Sequence, residues 1–279
     1  MKNLQASSSK QVVIITGSST GIGRSAVEIF SAAGWIVAAT MRTPEKEHSL
    51  GALPGVELKV LDVTNTESIK QTVKDIYEHY GRIDAVVNNA GYGLVGVFED
   101  TTEEQVRRQF DTNVFGLMSV CREVIPYLRK QGFGRIINVS SVGGRITLPL
   151  YSSYHSTKWA VEGFTESLQF ELAPFGIRTV LIEPGAIKTD FYDRSADRAE
   201  LAGSSPYKSY ADQVYSQFEA AAKGAESPVN VAKKILHAAS VRSPKTRYAV
   251  GGNAPALLAL RKVLPESVFT GMVKMILKA

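Results

Sequence analysis

Tyr154 and Lys158 stand four residues apart in the stretch YHSTK. On a helix that spacing stacks two side chains on one face. A phenol ordinarily loses its proton near pH ~10, and an ammonium a few ångströms away favours the phenolate and lowers that value. Tyr154 is thereby equipped to give or take a proton near neutrality, as acid–base catalysis requires. Tyr151 has no such partner, because four residues on stands His155.

A second chemistry precedes it. The run VVIIT is followed by GSSTGIG, with Gly17, Gly21 and Gly23 in seven residues, and then by an amphipathic helical pattern. Glycines let the backbone turn sharply and approach a pyrophosphate closely, and the helix points free N–H groups and its positive end at that anion. Ser18, Ser19 and Thr20 add hydroxyl donors, and Ile22 completes the loop. A dinucleotide site commonly closes its second strand with an acid that holds the ribose 2′-hydroxyl. Here the chain reads AATMRTPEK, and Arg42 stands where that acid is expected. A guanidinium grips a 2′-phosphate that a carboxylate would repel, so NADP(H) is the expected cofactor. Asp62, closing the third strand, is a candidate partner for the adenine amino group.

The elements that must position these residues follow from pattern. Nearly continuous apolar runs at 12–16, 35–40, 57–62, 83–90, 135–141, 178–184 and 247–252 predict parallel strands buried on both faces. Residues 21–33, 66–80, 103–130, 154–173 and 228–240 carry helical spacing. Their alternation predicts an α/β fold: a Rossmann-like, doubly wound, seven-stranded parallel sheet in strand order 3-2-1-4-5-6-7, forming a single domain. The stretch 189–227 breaks the rhythm after the sixth strand, where ligands bind, and is expected to be a substrate lid.

The motifs TGSSTGIG, NNAG, SSVGG, YHSTK and PGAIKT, with Asn113 in FDTNVFG, occur in the order of the short-chain dehydrogenase/reductase family, which the chain resembles over residues 10–252. The resemblance implies that Tyr154 is the catalytic acid/base and that Lys158 lowers its pKa and holds the nicotinamide ribose. It makes Ser141 the serine that polarises the substrate carbonyl, leaving Ser140 structural, and Asn113 the anchor of a water in a proton relay. Asn89, Ala90 and Gly91 would line the cofactor, and Pro184, Gly185 and Thr189 would close on its nicotinamide. A weaker similarity points to the 17β-hydroxysteroid and retinol dehydrogenase subset.

Tyr92, Leu148, Pro149, Tyr151, Phe191 and Tyr192 are candidate walls of the substrate pocket. None is charged, so a hydrophobic ketone or alcohol is expected. Alternatives are an NAD-dependent dehydrogenase of the hydroxysteroid or retinol type, a catalytically idle NADP(H)-binding sensor, and a sugar-nucleotide epimerase or dehydratase, for which the chain has little length to spare. By analogy with the family, helices 103–130 and 154–173 would form a homodimer or homotetramer.

Composition excludes other classes. The net charge of +5 comes from scattered residues, which does not suit nucleic acid. A single cysteine, Cys121, cannot form an internal disulfide, and the four histidines lack metal-ligand spacing, so no metal is expected. No apolar run approaches the ~20 residues of a membrane span. MKNLQASSSK has no apolar stretch like that of a signal peptide, so residues 1–10 are expected to be a disordered lead and the protein cytoplasmic. The apolar, basic segment 254–279 is expected to cover the pocket or an interface rather than lie on a membrane surface.

Overall fold

The computed structural model describes residues 10–188, 196–201, 203–222 and 224–277. Its strands are β1 (Val12–Thr16), β2 (Ile36–Met41), β3 (Val56–Val60), β4 (Ala85–Asn88), β5 (Gly93–Val95), β6 (Gly134–Val139), β7 (Ile177–Pro184), β8 (Ala196–Arg198) and β9 (Arg247–Val250). Its helices are α1 (Gly21–Ala32), α2 (Thr66–Tyr80), α3 (Glu103–Phe110), α4 (Leu117–Gln131), α5 (Ser152–Leu172), α6 (Lys208–Ala222), α7 (Pro228–Ser240), α8 (Ala254–Val263) and α9 (Glu266–Leu277).

Seven strands make one sheet in the order β3-β2-β1-β4-β6-β7-β9, every neighbouring pair parallel. This is the expected Rossmann-like sheet. Successive strand residues face opposite sides, and both sides are covered. Val13, Ile15, Val37 and Ile137 pack with Val27 and Phe30 of α1 and Val231 and Ile235 of α7. Val12, Ile14, Val86 and Ile136 pack with residues of α2, α4 and α5, including Ile69, Val124 and Val161. That double burial is why the central strands read as nearly unbroken apolar runs; the edge strand β3, VELKV, expected to be buried on both faces, is only partly buried and leaves Val60 exposed. Cys121 lies in the second layer, where burial pushes its thiol up to about 12.

The helix boundaries follow local chemistry. Asn65 caps α2 by accepting from the Ser68 N–H, and Thr102 and Gln105 form a capping box at the start of α3. Gly81 and Gly132, in left-handed conformation, end α2 and α4.

Two features depart from expectation. The helix predicted over 103–130 is interrupted: α3 and α4 are joined by a π-type turn, Asp111–Gly116, that contains Asn113. The short strands β5 and β8 pair in parallel as a separate two-stranded sheet, fastening the described part of the lid beside the segment that follows NNAG. The described residues of the 254–279 segment form α8 and α9, which leave Val263, Val268, Met275 and Ile276 exposed. Among the described residues no helix is long and apolar enough to cross a membrane.

Candidate active site

The expected site residues that are described gather at the carboxyl ends of the parallel strands, where open α/β sheets bind ligands. β1 runs into the glycine turn, where Gly17 adopts a φ of +66° that suits glycine. A Cβ on Gly23 would lie 2.2 Å from the Gly17 carbonyl oxygen and 2.5 Å from Asn89 Nδ2, so only glycine lets α1 start this close to β4. Asn89 fastens the two segments by donating to the carbonyls of Thr16 and Gly17, each at 3.0 Å. Thr16 Oγ1 in turn accepts the N–H groups of Asn89 and Ala90.

The first N–H groups of α1 have no acceptor within the helix. Thr20 does not cap them with its side chain, and no acid stands in the first turn. Ser19 and Thr20 are exposed beside them, and Ile22 is half-buried, packed on the core. These features fit a bound pyrophosphate. Ser18 departs from expectation: it is buried and its hydroxyl donates to the Ile15 carbonyl at 2.8 Å, so it shapes the turn instead of offering a donor.

Two arginines stand near the position expected for the adenosine end, Arg24 on α1 and Arg42 past β2. Arg24 is committed, bonded to Glu47 at 2.7 Å and to Ser49, with Glu28 at 3.5 Å. The backbone N–H of Leu50, with that of Ser49 and the Arg24 guanidinium, holds the Glu47 carboxyl down to about 2. Arg42, just past β2, is exposed and has no partner among the described residues. Asp62 lies two residues beyond β3 instead of closing it, and its Oδ1 accepts from the N–H and hydroxyl of Thr64.

α5 begins at Ser152 and carries Tyr154 and Lys158 on one face, the Lys158 Nζ 5.8 Å from the Tyr154 ring centroid. Lys158 is buried and donates to the Val139 carbonyl, at the end of β6, at 2.9 Å. Burial pulls its pKa down to about 8, an effect that Glu162 opposes. Gly91 comes near both Asn113 and Lys158: a Cβ there would lie 3.0 Å from Asn113 Oδ1 and 3.9 Å from Lys158 Nζ.

Asn113 holds Tyr92 by its backbone from both sides, accepting its N–H at 3.0 Å and donating to its carbonyl at 2.8 Å. Its amide also reaches Thr157 of α5 at 3.2 Å. The side chain is thus spent on protein groups, which does not match the water-anchoring role expected of it; it lies in the π-type turn, a geometry frequent at functional sites. Ser141, just past β6, accepts the Gly143 N–H on its Oγ at 3.0 Å, which leaves its own proton free to point elsewhere. Ser140 is buried behind it. Pro184 ends β7, and Gly185 donates to the Val250 carbonyl at 2.8 Å.

An apolar cluster surrounds the Tyr154 ring. Val95, Val97, Leu150 and Tyr151 join Ala211 and Val214 of α6, with Leu148, Leu201, Tyr215 and Phe218 packed against them. The Tyr151 and Phe218 rings meet edge-on at 5.3 Å. Of the expected pocket walls, Leu148 and Tyr151 belong to this cluster. Tyr92 turns its hydroxyl toward Arg108 at 3.3 Å, and Pro149, next to Leu148, is half-buried. Thr189, Phe191 and Tyr192 fall outside the described residues. Sequence reading missed the α6 wall because residues 208–222 carry no motif. It also passed over His155, which packs its ring into the loop following Ser141.

Behind α5, two buried acids share two arginines. Glu162 lies 2.9 Å from Arg247, and Glu183 lies 3.5 Å from Arg145 and 3.6 Å from Arg247. Burial first, then Glu162, raises Glu183 from 4.5 to about 7. A native pKa above the unfolded value contributes stability that is full below about pH 4.5 and lost as pH rises through about 7. Glu183→Gln is therefore expected to raise Tm by about 3 °C near pH ~8.5 and to change it little near pH ~5. A lower Tm at both pH values in a thermal melt would contradict the assignment.

A family model described as short chain dehydrogenase matches residues 11–200. The chain is 36% identical over 262 residues to 3-ketodihydrosphingosine reductase from Bacteroides thetaiotaomicron, an alignment spanning 92% of this chain and 94% of that protein. It is similar to the solved structure of a short-chain dehydrogenase from Streptomyces avermitilis, with a TM-score of 0.83 and 35% identity over 95% of this chain and 96% of that one. It is also similar to ElxO with NADP bound, with a TM-score of 0.74 and 27% identity over 88% of this chain and 99% of that one.

Proposed function

The chain belongs to the short-chain dehydrogenase/reductase family, and from that premise we propose that it is an NADP(H)-dependent oxidoreductase interconverting a hydrophobic ketone or aldehyde and its alcohol. The observation that carries the reading is the pairing of Tyr154 with a buried Lys158 on one face of α5, under an apolar wall.

The glycine turn, Ser19, Thr20, Asn89, Ala90 and Gly91 would hold the cofactor, Arg42 would meet its 2′-phosphate, and Pro184, Gly185 and Lys158 would meet its nicotinamide end. Bound there, the nicotinamide supplies or removes a hydride. In the reductive direction negative charge would develop on the substrate carbonyl oxygen. Ser141 and Tyr154 donate to the oxygen, and each well-placed donor is worth on the order of 3 kcal/mol. Tyr154 passes its proton to the oxygen and the alcohol leaves. Lys158, still mostly protonated at neutral pH with its pKa near 8, favours the phenolate left behind. Water returns the proton.

The apolar cluster around Tyr154 supports an apolar substrate, as does similarity to a relative named for reducing 3-ketodihydrosphingosine. NADPH consumption over a panel of aliphatic and aromatic ketones tests the reading. Turnover of at least one apolar ketone is the expected result, and tight NADPH binding with no turnover of any would favour the idle sensor.

Phe115 beside α4, and Trp159 and Phe170 on α5, are large exposed apolar residues, Phe170 at 72%. They support self-association through this face. Phe170→Glu is expected to lower the mass measured by light scattering, and a monomeric wild-type chain would defeat this part of the reading.

A further inference from the structure

We infer that His155 is a positioning residue, clasping the loop that bears Ser141 onto the helix that bears Tyr154 and setting both Ser141 and the Leu148 wall in working register. The inference rests on the roles assigned above to Ser141 and Tyr154.

The ring is buried, and both nitrogens are used. Nδ1 lies 2.8 Å from the Gly143 carbonyl oxygen, and Nε2 lies 3.1 Å from the Leu148 backbone nitrogen. A carbonyl only accepts and an N–H only donates. Nδ1 therefore carries the proton and Nε2 presents its lone pair, so one neutral tautomer satisfies both contacts. Burial pulls the imidazole down to about 4, in keeping with a neutral ring.

The first contact leads to chemistry. Gly143 accepts from His155 through its carbonyl and donates its N–H to Ser141 Oγ at 3.0 Å. The imidazole thus fixes the residue that occupies a lone pair of the Ser141 oxygen, and the Ser141 proton is left to aim at substrate. Glycine is required here. A Cβ at position 143 would lie 2.4 Å from His155 Nδ1 and 2.6 Å from Cε1.

The second contact holds the far end of the same loop. Leu148 packs against the cluster that contains Tyr154, and two residues on Leu150 has a φ of +63°, a conformation bulky residues rarely adopt. Such a backbone persists only where its surroundings hold it. His155 follows Tyr154 directly in α5, so the clasp ties the loop to the residue beside the acid/base.

The test uses full-length enzyme saturated with NADPH and a ketone that the wild type reduces. His155→Leu removes both contacts. His155→Asn keeps an N–H donor near the Nδ1 position, and His155→Gln keeps an acceptor near the Nε2 position. His155→Leu is expected to lose about 100-fold in kcat while its NADPH Kd stays within about 3-fold, since a small misplacement of a catalytic group costs that much. His155→Asn should recover most of kcat but keep a raised ketone KM. His155→Gln should recover KM, and amide exchange at Leu148 should quicken in the Leu and Asn variants but not in the Gln variant.

Wild-type kcat and KM in His155→Leu would overturn the inference. Equal loss of kcat and of NADPH binding in all three variants would also overturn it, by reducing the ring to a scaffold. If Tyr154→Phe abolishes turnover while His155→Leu is unimpaired, this inference alone fails. If Tyr154→Phe keeps wild-type turnover, the reading of the site fails and the inference with it.

Discussion

Tyr154→Phe is expected to cut kcat by about 1,000-fold while leaving the NADPH Kd within about 3-fold of wild type, because a positioned proton donor contributes roughly 100- to 10,000-fold. The phenylalanine keeps the ring that packs with Tyr151, Leu150 and Val95 and removes only the hydroxyl. The pocket and the cofactor cradle should therefore survive, and the loss should fall on the chemical step. Steady-state kinetics and a fluorescence titration of NADPH separate the two quantities. Retention of more than about a tenth of wild-type kcat would remove Tyr154 from the role of acid/base.

Arg42→Asp should raise the KM for NADPH by about 30-fold or more and change that for NADH by no more than about 3-fold, since charge-assisted hydrogen bonds are each worth roughly 1.5–3 kcal/mol. Arg42 is exposed and has no partner among the described residues, so the substitution breaks nothing in the fold. Arg24 cannot easily stand in, because its guanidinium is held by Glu47 and Ser49. The new carboxylate would repel a 2′-phosphate and suit a free 2′-hydroxyl. Equal KM changes for the two cofactors would show that Arg42 does not read the 2′-phosphate.

Much of the framework was legible because single physical constraints governed it. Strands buried on both faces, such as Val12–Thr16 and Ala85–Asn88, have no polar alternation to blur them. Gly17 and Gly23 stand where φ or contact admits little else, and a spacing of four brings Tyr154 and Lys158 onto one face.

What escaped the sequence depended on backbone paths that no local pattern encodes. The π-type turn at Asp111–Gly116 widens a helix without changing which residues are apolar, so periodicity ran straight through it. β5 and β8 are three residues each and pair across a hundred positions, which no local pattern can announce. Ser18 has the composition of a phosphate ligand, yet the turn directs its hydroxyl to Ile15. His155 carries no motif of its own, because its use is set by Gly143 and Leu148 on a loop whose path only the fold defines.

Isotope transfer tests the central claim most directly. NADPH deuterated on one face of C4 is supplied with an apolar ketone, and the product alcohol is analysed by mass spectrometry and NMR. Hydride transfer in this site predicts one deuterium at the carbinol carbon when one C4 face is labelled and none when the other is. An alcohol formed without label from either face, or with label equally from both, would contradict it.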